Sequence, residues 1–206
     1  MDTDCALCDA IADATAGGVP KQIYNELLFT TPRFGVLSSI GPLSLGHVMI
    51  VSKHHWPNLA SMGVDAIDEY EELVQTFRRL PPYSDGQLLE AESGSTDVRS
   101  SGACVVHTHV HWLPGFAEAV DIFDGMLPPI PGVHSLHDVG PEHGAYLFMR
   151  NSSETRILEA RSLPSQAIRR ALFEQIGRDD WDWGVAPRMD RIAETINLWR
   201  EYQNVL

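Results

Sequence analysis

The chain is short of positive charge, of cysteine and of long apolar runs. Its 206 residues carry 15 Lys and Arg against 28 Asp and Glu, a net charge of −13. A surface that acidic repels a phosphate backbone and argues against nonspecific nucleic-acid binding, although a small phosphorylated ligand needs only local donors. No apolar run reaches the roughly 18 residues that a membrane-crossing helix needs, so no membrane partner is expected. The opening MDTDCALCDAIADATAGG is acidic and lacks the basic start and long apolar core of a signal peptide, which makes a cytoplasmic setting the expectation. There is no internal repeat or low-complexity tract. Three cysteines, Cys5, Cys8 and Cys104, are an odd count that argues against a disulfide framework. Cys5-x-x-Cys8 then reads as metal ligands or a redox pair. The redox version normally follows a strand, and none precedes Cys5, so zinc is preferred.

With 44% apolar and 21% charged residues, the composition is that of a globular protein, and the length suits one domain or one domain plus an appendage. Residues 6–16 are Ala-rich and predict a helix ending at Gly17-Gly18. Short apolar runs follow at 22–24, 27–31 and 34–39, then a GPLSLG turn and the strand HVMIVS at 47–52. Residues 64–80 space Ile67, Tyr70, Leu73, Val74, Phe77 and Leu80 as one face of an amphipathic helix. QLLEAE, AYLFMR (145–150) and TRILEA (155–160) predict further strands, and helices are expected over 164–177 and about 187–203. This mixture points to an α+β fold of mainly antiparallel strands, about five of them with flanking helices, followed by an α/β extension.

The most informative stretch is CVVHTHVHWLPG, residues 104–115, with His107, His109 and His111 in alternation. On a helix these positions point about 0°, 200° and 40° around the axis and share no face. On a strand they line one side, and the β-branched Val105, Val106, Thr108 and Val110 favour a strand. The outer two would lie roughly 13 Å apart at Cα, too far for all three to bind one metal. A division of labour follows: one histidine can serve a metal while the other two serve chemistry.

HTHVHWL resembles the His-x-His-x-His signature of the histidine triad (HIT) superfamily of nucleotide hydrolases and transferases. CALC is similar to the Cys-x-x-Cys opening of many HIT proteins, and GPLSLGHVMIVSKHH to their GH-strand segment. Residues 145–183 resemble, more loosely, an extension in the CwfJ-like branch. The resemblance implies a HIT domain over 1–115 with an N-terminal zinc-binding segment, and an extension over 116–206 packed on it.

It further implies a hydrolase acting at the α-phosphate of a nucleotide conjugate through a nucleotidyl-histidine. His109 would be the nucleophile, with His111 assisting on the same face. A neutral imidazole is a good nucleophile near pH 7 when an acceptor holds its other N–H. Substrate contacts are expected from His47, Ser39, a base pocket of Leu37 and Ile40, the backbone of Gly102, Ala103 and Cys104, and from Gln166 and Arg169. The family's Gln and Ser/Thr before the triad are replaced by Ala103 and Cys104, and its ribose-binding Asp by Ser39. Structural zinc would be held by Cys5, Cys8, His55 and His107, with His54 the rival to His55. Trp181 and Trp183 are expected to pack the extension onto the core, and His134, His137 and His143 to lie in loops. Transfer of the nucleotidyl group to another acceptor and a noncatalytic CwfJ-like module are the alternative functions. Relatives are often homodimers through the central sheet, a face that the extension could cover here.

Overall fold

A computed structural model describes residues 5–16, 19–84, 86–96, 105–161 and 163–203. The described residues form seven strands: β1 (Leu27–Thr30), β2 (Phe34–Ser38), β3 (Val48–Ser52), β4 (Leu88–Ser95), β5 (His109–Pro114), β6 (Ala145–Arg150) and β7 (Thr155–Glu159). They make one sheet in the order β1-β2-β3-β5-β4-β6-β7, antiparallel throughout. The helices are α1 (Ala6–Thr15), α2 (Val64–Phe77), α3 (Ala167–Gln175) and α4 (Met189–Tyr202). The α+β architecture matches the sequence expectation. The two strands after residue 140 form no layer of their own: β6 pairs along the outer edge of β4 and extends the same sheet.

Alternation of side chains along the strands sorts the core onto two faces. On the back, Val36, Ile50, Val110, Trp112 and Phe148 pack against Tyr70, Leu73 and Phe77 of α2 and against Ile192, Ile196 and Trp199 of α4. Burial of each such side chain is worth about 1.5–3 kcal/mol, which is why both amphipathic helices dock here. On the front, α1 places Ala10 and Ile11 over Leu37 and Val51. Further along that face, α3 sets Ile168, Leu172 and Phe173 over Leu89, Ala91 and Leu113. Between these two clusters the front of β5 presents His109 and His111.

Two buried carboxylates fasten the back. Glu90 is fully buried and accepts from Tyr70 Oη, Arg78 and Arg150, each at 2.6 Å. Tyr70 in turn accepts from Trp112 Nε1 at 3.1 Å, so the strand bearing the histidines is pinned from behind. Glu92 accepts from the Leu59 N–H at 2.9 Å and from the Tyr146 hydroxyl. Burial raises its carboxyl to about 7 against the pull of those two donors.

Two helix ends fall three residues short of the sequence reading. α2 stops at Phe77 because Leu80, which precedes Pro81, is biased away from helical backbone, and the chain closes a tighter turn through Leu80 N and Phe77 O. α3 starts only at Ala167 because Gln166 adopts a left-handed φ of 61°.

Candidate active site

The front of β5 does not hold three histidines in one row. β5 begins at His109, and His107 lies in the bend before it. The Thr108 N–H donates to Trp56 O at 2.7 Å, and the Ser52 N–H to Thr108 O at 3.2 Å. These bonds turn the His107 ring towards α1, away from the cleft occupied by the other two rings.

His107 Nδ1 faces Cys5 Sγ at 3.3 Å and Cys8 Sγ at 3.5 Å, and His55 Nδ1 lies 3.3 Å from Cys8 Sγ. The four donor atoms all lie within 4.8 Å of one another. A tetrahedral zinc with Zn–S near 2.3 Å and Zn–N near 2.0–2.1 Å sets sulfur and nitrogen ligands about 3.5 Å apart, so donor set and spacing both suit such an ion. Burial and the neighbouring Cys5 thiol raise Cys8 to about 11, a cost of ionisation that a bound cation would reverse. His107 Nε2–H donates to Ser52 O at 2.8 Å, which leaves Nδ1 unprotonated towards the sulfurs. The Ser52 hydroxyl donates to His54 O at 2.8 Å, and it is the next residue, His55, whose ring joins the cluster.

The carbonyl of His107 reaches the other way and accepts from His109 Nδ1 at 2.6 Å. With that N–H held, the lone pair of neutral His109 sits on Nε2. Burial lowers the His109 pKa and keeps the ring neutral. Beside it, His111 Nδ1 lies 3.0 Å from His47 Nε2, and His47 Nδ1 accepts from the Leu43 N–H at 3.0 Å. A backbone N–H can only donate, so His47 carries its proton on Nε2, gives it to His111 Nδ1, and leaves His111 with Nε2–H. Burial pushes the pKa of His47 and His111 well down, helped at His47 by His111, Arg169 and Arg188 and at His111 by His109 and Arg169.

A cleft of about 150 Å³ opens over these rings, lined by Ser39, Ile40, Met49, Val105, Arg169 and Trp183 together with His109 and His111. It adjoins an outer basin of about 460 Å³ beside α1, bordered by Leu37, Tyr24 and Asn25 and sharing Ile40, Met49 and Trp183. Arg169 is buried, and its guanidinium donates to Trp181 O and Gly41 O, so a fixed positive charge stands at the cleft wall.

The structure therefore groups Ser39, Ile40, His109, His111 and Arg169 around one cleft, with Leu37 at its outer basin. His47 is 1% exposed and reaches the cleft only through His111. Gln166 does not line it: its amide bonds Asp182 Oδ1 at 3.3 Å and the Trp183 N–H at 3.4 Å. Gly102, Ala103 and Cys104 lie outside the described residues. His137 and His143 stand beside Asp68 and Glu142, away from the cleft. The two tryptophans divide. Trp181 packs on the α3 cluster as expected, whereas Trp183 lines the cleft, a correction to the packing role read from sequence. Met49 and Val105 were also missed; Met49 could have been found from register, since it pairs directly with His111.

No protein-family model matches the chain, and no curated protein matches it. Among the solved structures that resemble it over part of its length are histidine triad proteins. One is described as a hypothetical histidine triad nucleotide-binding protein from Sulfolobus tokodaii (25% identity, TM-score 0.34, 43% of this chain and 58% of that one). A HIT family hydrolase from Clostridium thermocellum matches at 17% identity and TM-score 0.40 over 56% of this chain and 93% of its own. A zinc-bound histidine triad family protein from Mycobacterium smegmatis matches at 19% identity and TM-score 0.39, covering 54% of this chain and 74% of that one.

Proposed function

We propose that this protein is a nucleotide hydrolase that works at the α-phosphate of a nucleotide conjugate through a covalent nucleotidyl-histidine. One observation carries the reading: the His107 carbonyl holds His109 Nδ1–H at 2.6 Å, which points an unprotonated Nε2 at a cleft with a buried arginine in its wall. In the first step the Nε2 lone pair attacks phosphorus, an N–P bond forms, and the leaving group departs with the electron pair of the bond it loses, a phosphoramidate nitrogen having first taken a proton from solvent. In the second step water attacks the same phosphorus. The N–P bond breaks, the pair returns to Nε2, and a nucleoside monophosphate and a proton leave. His111 Nε2–H donates to a phosphate oxygen, and the Arg169 charge offsets the charge that builds in the transition state.

Cys5, Cys8, His55 and His107 would hold a structural zinc, which would tie α1 and the 53–56 loop to the residue whose carbonyl orients His109. A small nucleotide is the partner this site suits. β6 occupies the outer edge of β4, so a homodimer would need a surface other than that edge.

Transfer of the nucleotidyl group to an acceptor other than water uses the same first step and is the nearest alternative. A noncatalytic interaction module would have no use for the held tautomers of His109 and His111. Among the described residues no helix is long and apolar enough to cross a membrane.

The test is to incubate the protein with a panel of nucleoside phosphoramidates and dinucleoside polyphosphates, quench in base, and measure mass by peptide. A nucleotidyl mass on His109 and release of mononucleotide are expected, both lost in a folded His109→Ala variant. No turnover and no label across the panel would remove the enzymatic reading.

A further inference from the structure

One residue of the cleft lining, Trp183, comes from a short segment of the C-terminal part, residues 180–188. This segment is fastened to the turn after β2 directly at two points and at a third through Arg169 of α3, which also donates to Trp181 O. The Gly41 N–H donates to Pro187 O at 2.9 Å, Arg169 donates to Gly41 O, and Arg188 Nη1 donates to Pro42 O at 3.1 Å. Gly41 has a φ of +61°, and a Cβ there would lie 2.9 Å from Ala186 O and 3.0 Å from Trp183 Cβ. Only glycine allows so close an approach in that conformation.

Trp183 stands at the tip of this strap. Its N–H is held by the Gln166 side chain, and Asp182 O accepts from the Val185 and Ala186 N–H groups at 3.1 and 2.8 Å, closing the turn. The residue is nevertheless 39% exposed, and it lines both the histidine cleft and the outer basin. A large aromatic ring usually buries itself; this one is held by its backbone and left open where the two spaces meet. Leu7, Ile40 and Met49, all apolar, line the same cleft. The lining thus combines apolar side chains, one aromatic ring, and the polar groups of His109, His111 and Arg169 that suit a phosphate.

We propose that Trp183 is a specificity-determining residue that stacks on the base of the bound nucleotide, so that the site selects base-bearing phosphates over bare sugar phosphates. The inference rests on the nucleotide reading above. Stacking recognises the π-face that every base offers, which makes the site tolerant among bases and intolerant of their absence. The left-handed Gln166 then acts as a positioning residue, since both ends of its amide hold the strap at Asp182 and Trp183.

Binding of AMP, GMP, CMP and UMP is to be compared with that of ribose 5-phosphate by calorimetry on the wild-type protein, Trp183→Ala and Trp183→Phe. The wild type should bind at least one mononucleotide roughly 10-fold or more tighter than ribose 5-phosphate. Trp183→Ala should close that gap while leaving the affinity for ribose 5-phosphate and the melting temperature unchanged, and Trp183→Phe should keep most of it. A gap that survives Trp183→Ala, or a wild type without a gap, overturns the role of Trp183, while a labelled His109 in the same protein leaves the hydrolase reading standing. Absence of both phosphate binding and His109 labelling removes the two together.

Discussion

His47 and His111 share a hydrogen bond of 3.0 Å whose direction is settled one step further back, by the Leu43 N–H that donates to His47 Nδ1. If His111 became an imidazolium with this bond intact, His47 would have to accept at both nitrogens, which a neutral imidazole cannot do. His111 is therefore a neutral donor with a fixed N–H. It can hold a phosphate oxygen, but it does not surrender its proton to a leaving group. In single turnovers with aryl esters of a nucleoside monophosphate, labelling of His109 should slow steeply as the pKa of the leaving phenol rises. A rate indifferent to the leaving group would contradict this assignment. His111→Ala should cost about 100-fold, the usual loss for one such donor.

Arg169 is buried and oriented by two carbonyls, so its charge reaches the cleft without the entropy loss of ordering a free side chain. Arg169→Gln should weaken mononucleotide binding by roughly 10-fold, the scale of one charge-assisted hydrogen bond. Arg169→Lys keeps the charge but cannot reach both carbonyls, and it should recover only part of that loss. Equal affinities in all three proteins would mean that the guanidinium serves the strap alone.

The Cys5, Cys8, His55 and His107 cluster should bring about one zinc per chain through purification. Metal analysis of Cys5→Ser should show that zinc lost, and chelation of the wild type should lower its melting temperature. Protein that is metal-free and equally stable would remove zinc from the account.

Glu92 gives a pH dependence whose sign can be worked out. Its carboxyl titrates at about 7 in the fold because burial disfavours the charge. In the unfolded chain a glutamate titrates near 4.3, so between the two values the fold holds a proton that the unfolded state has released. Stability from this group is complete below the lower value and falls as pH rises towards 7, by on the order of 3 kcal/mol. Denaturant titrations at pH 5 and pH 8 should show the wild type losing ground against Glu92→Gln at the higher pH. A difference between the two proteins that does not change with pH would show that Glu92 keeps its charge in the fold.

Much of the fold was legible because local periodicity decided it. Ile67, Tyr70, Leu73, Val74 and Phe77 could bury one helical face in only one way, and the AYLFMR strand lies where its composition put it. What escaped depends on contacts distant in sequence. Nothing local tells His107 to leave the strand; the bend comes from Thr108 bonding Trp56, some 52 residues away. The pairing of β6 with β4 is equally remote, so the extension's place in the same sheet could not be read ahead. Trp181 and Trp183 sit two positions apart on either side of Asp182, and the fastening of the strap to Gly41 decides which ring faces the cleft.

The strand order has a consequence for how the molecule assembles. β1, β2 and β3 form a meander, β4 and β5 pair with each other, and β6 and β7 make a hairpin. These three units meet at two seams, β3 against β5 and β4 against β6. Pairings between segments distant in sequence must wait for the entropy of closing long loops, so the seams are expected to zip after the units themselves. His109 and His111 sit on the first seam, opposite Val51 and Met49. A nucleophile placed there comes into being only when the first two units have joined, so an intermediate with every hairpin formed would still be inert.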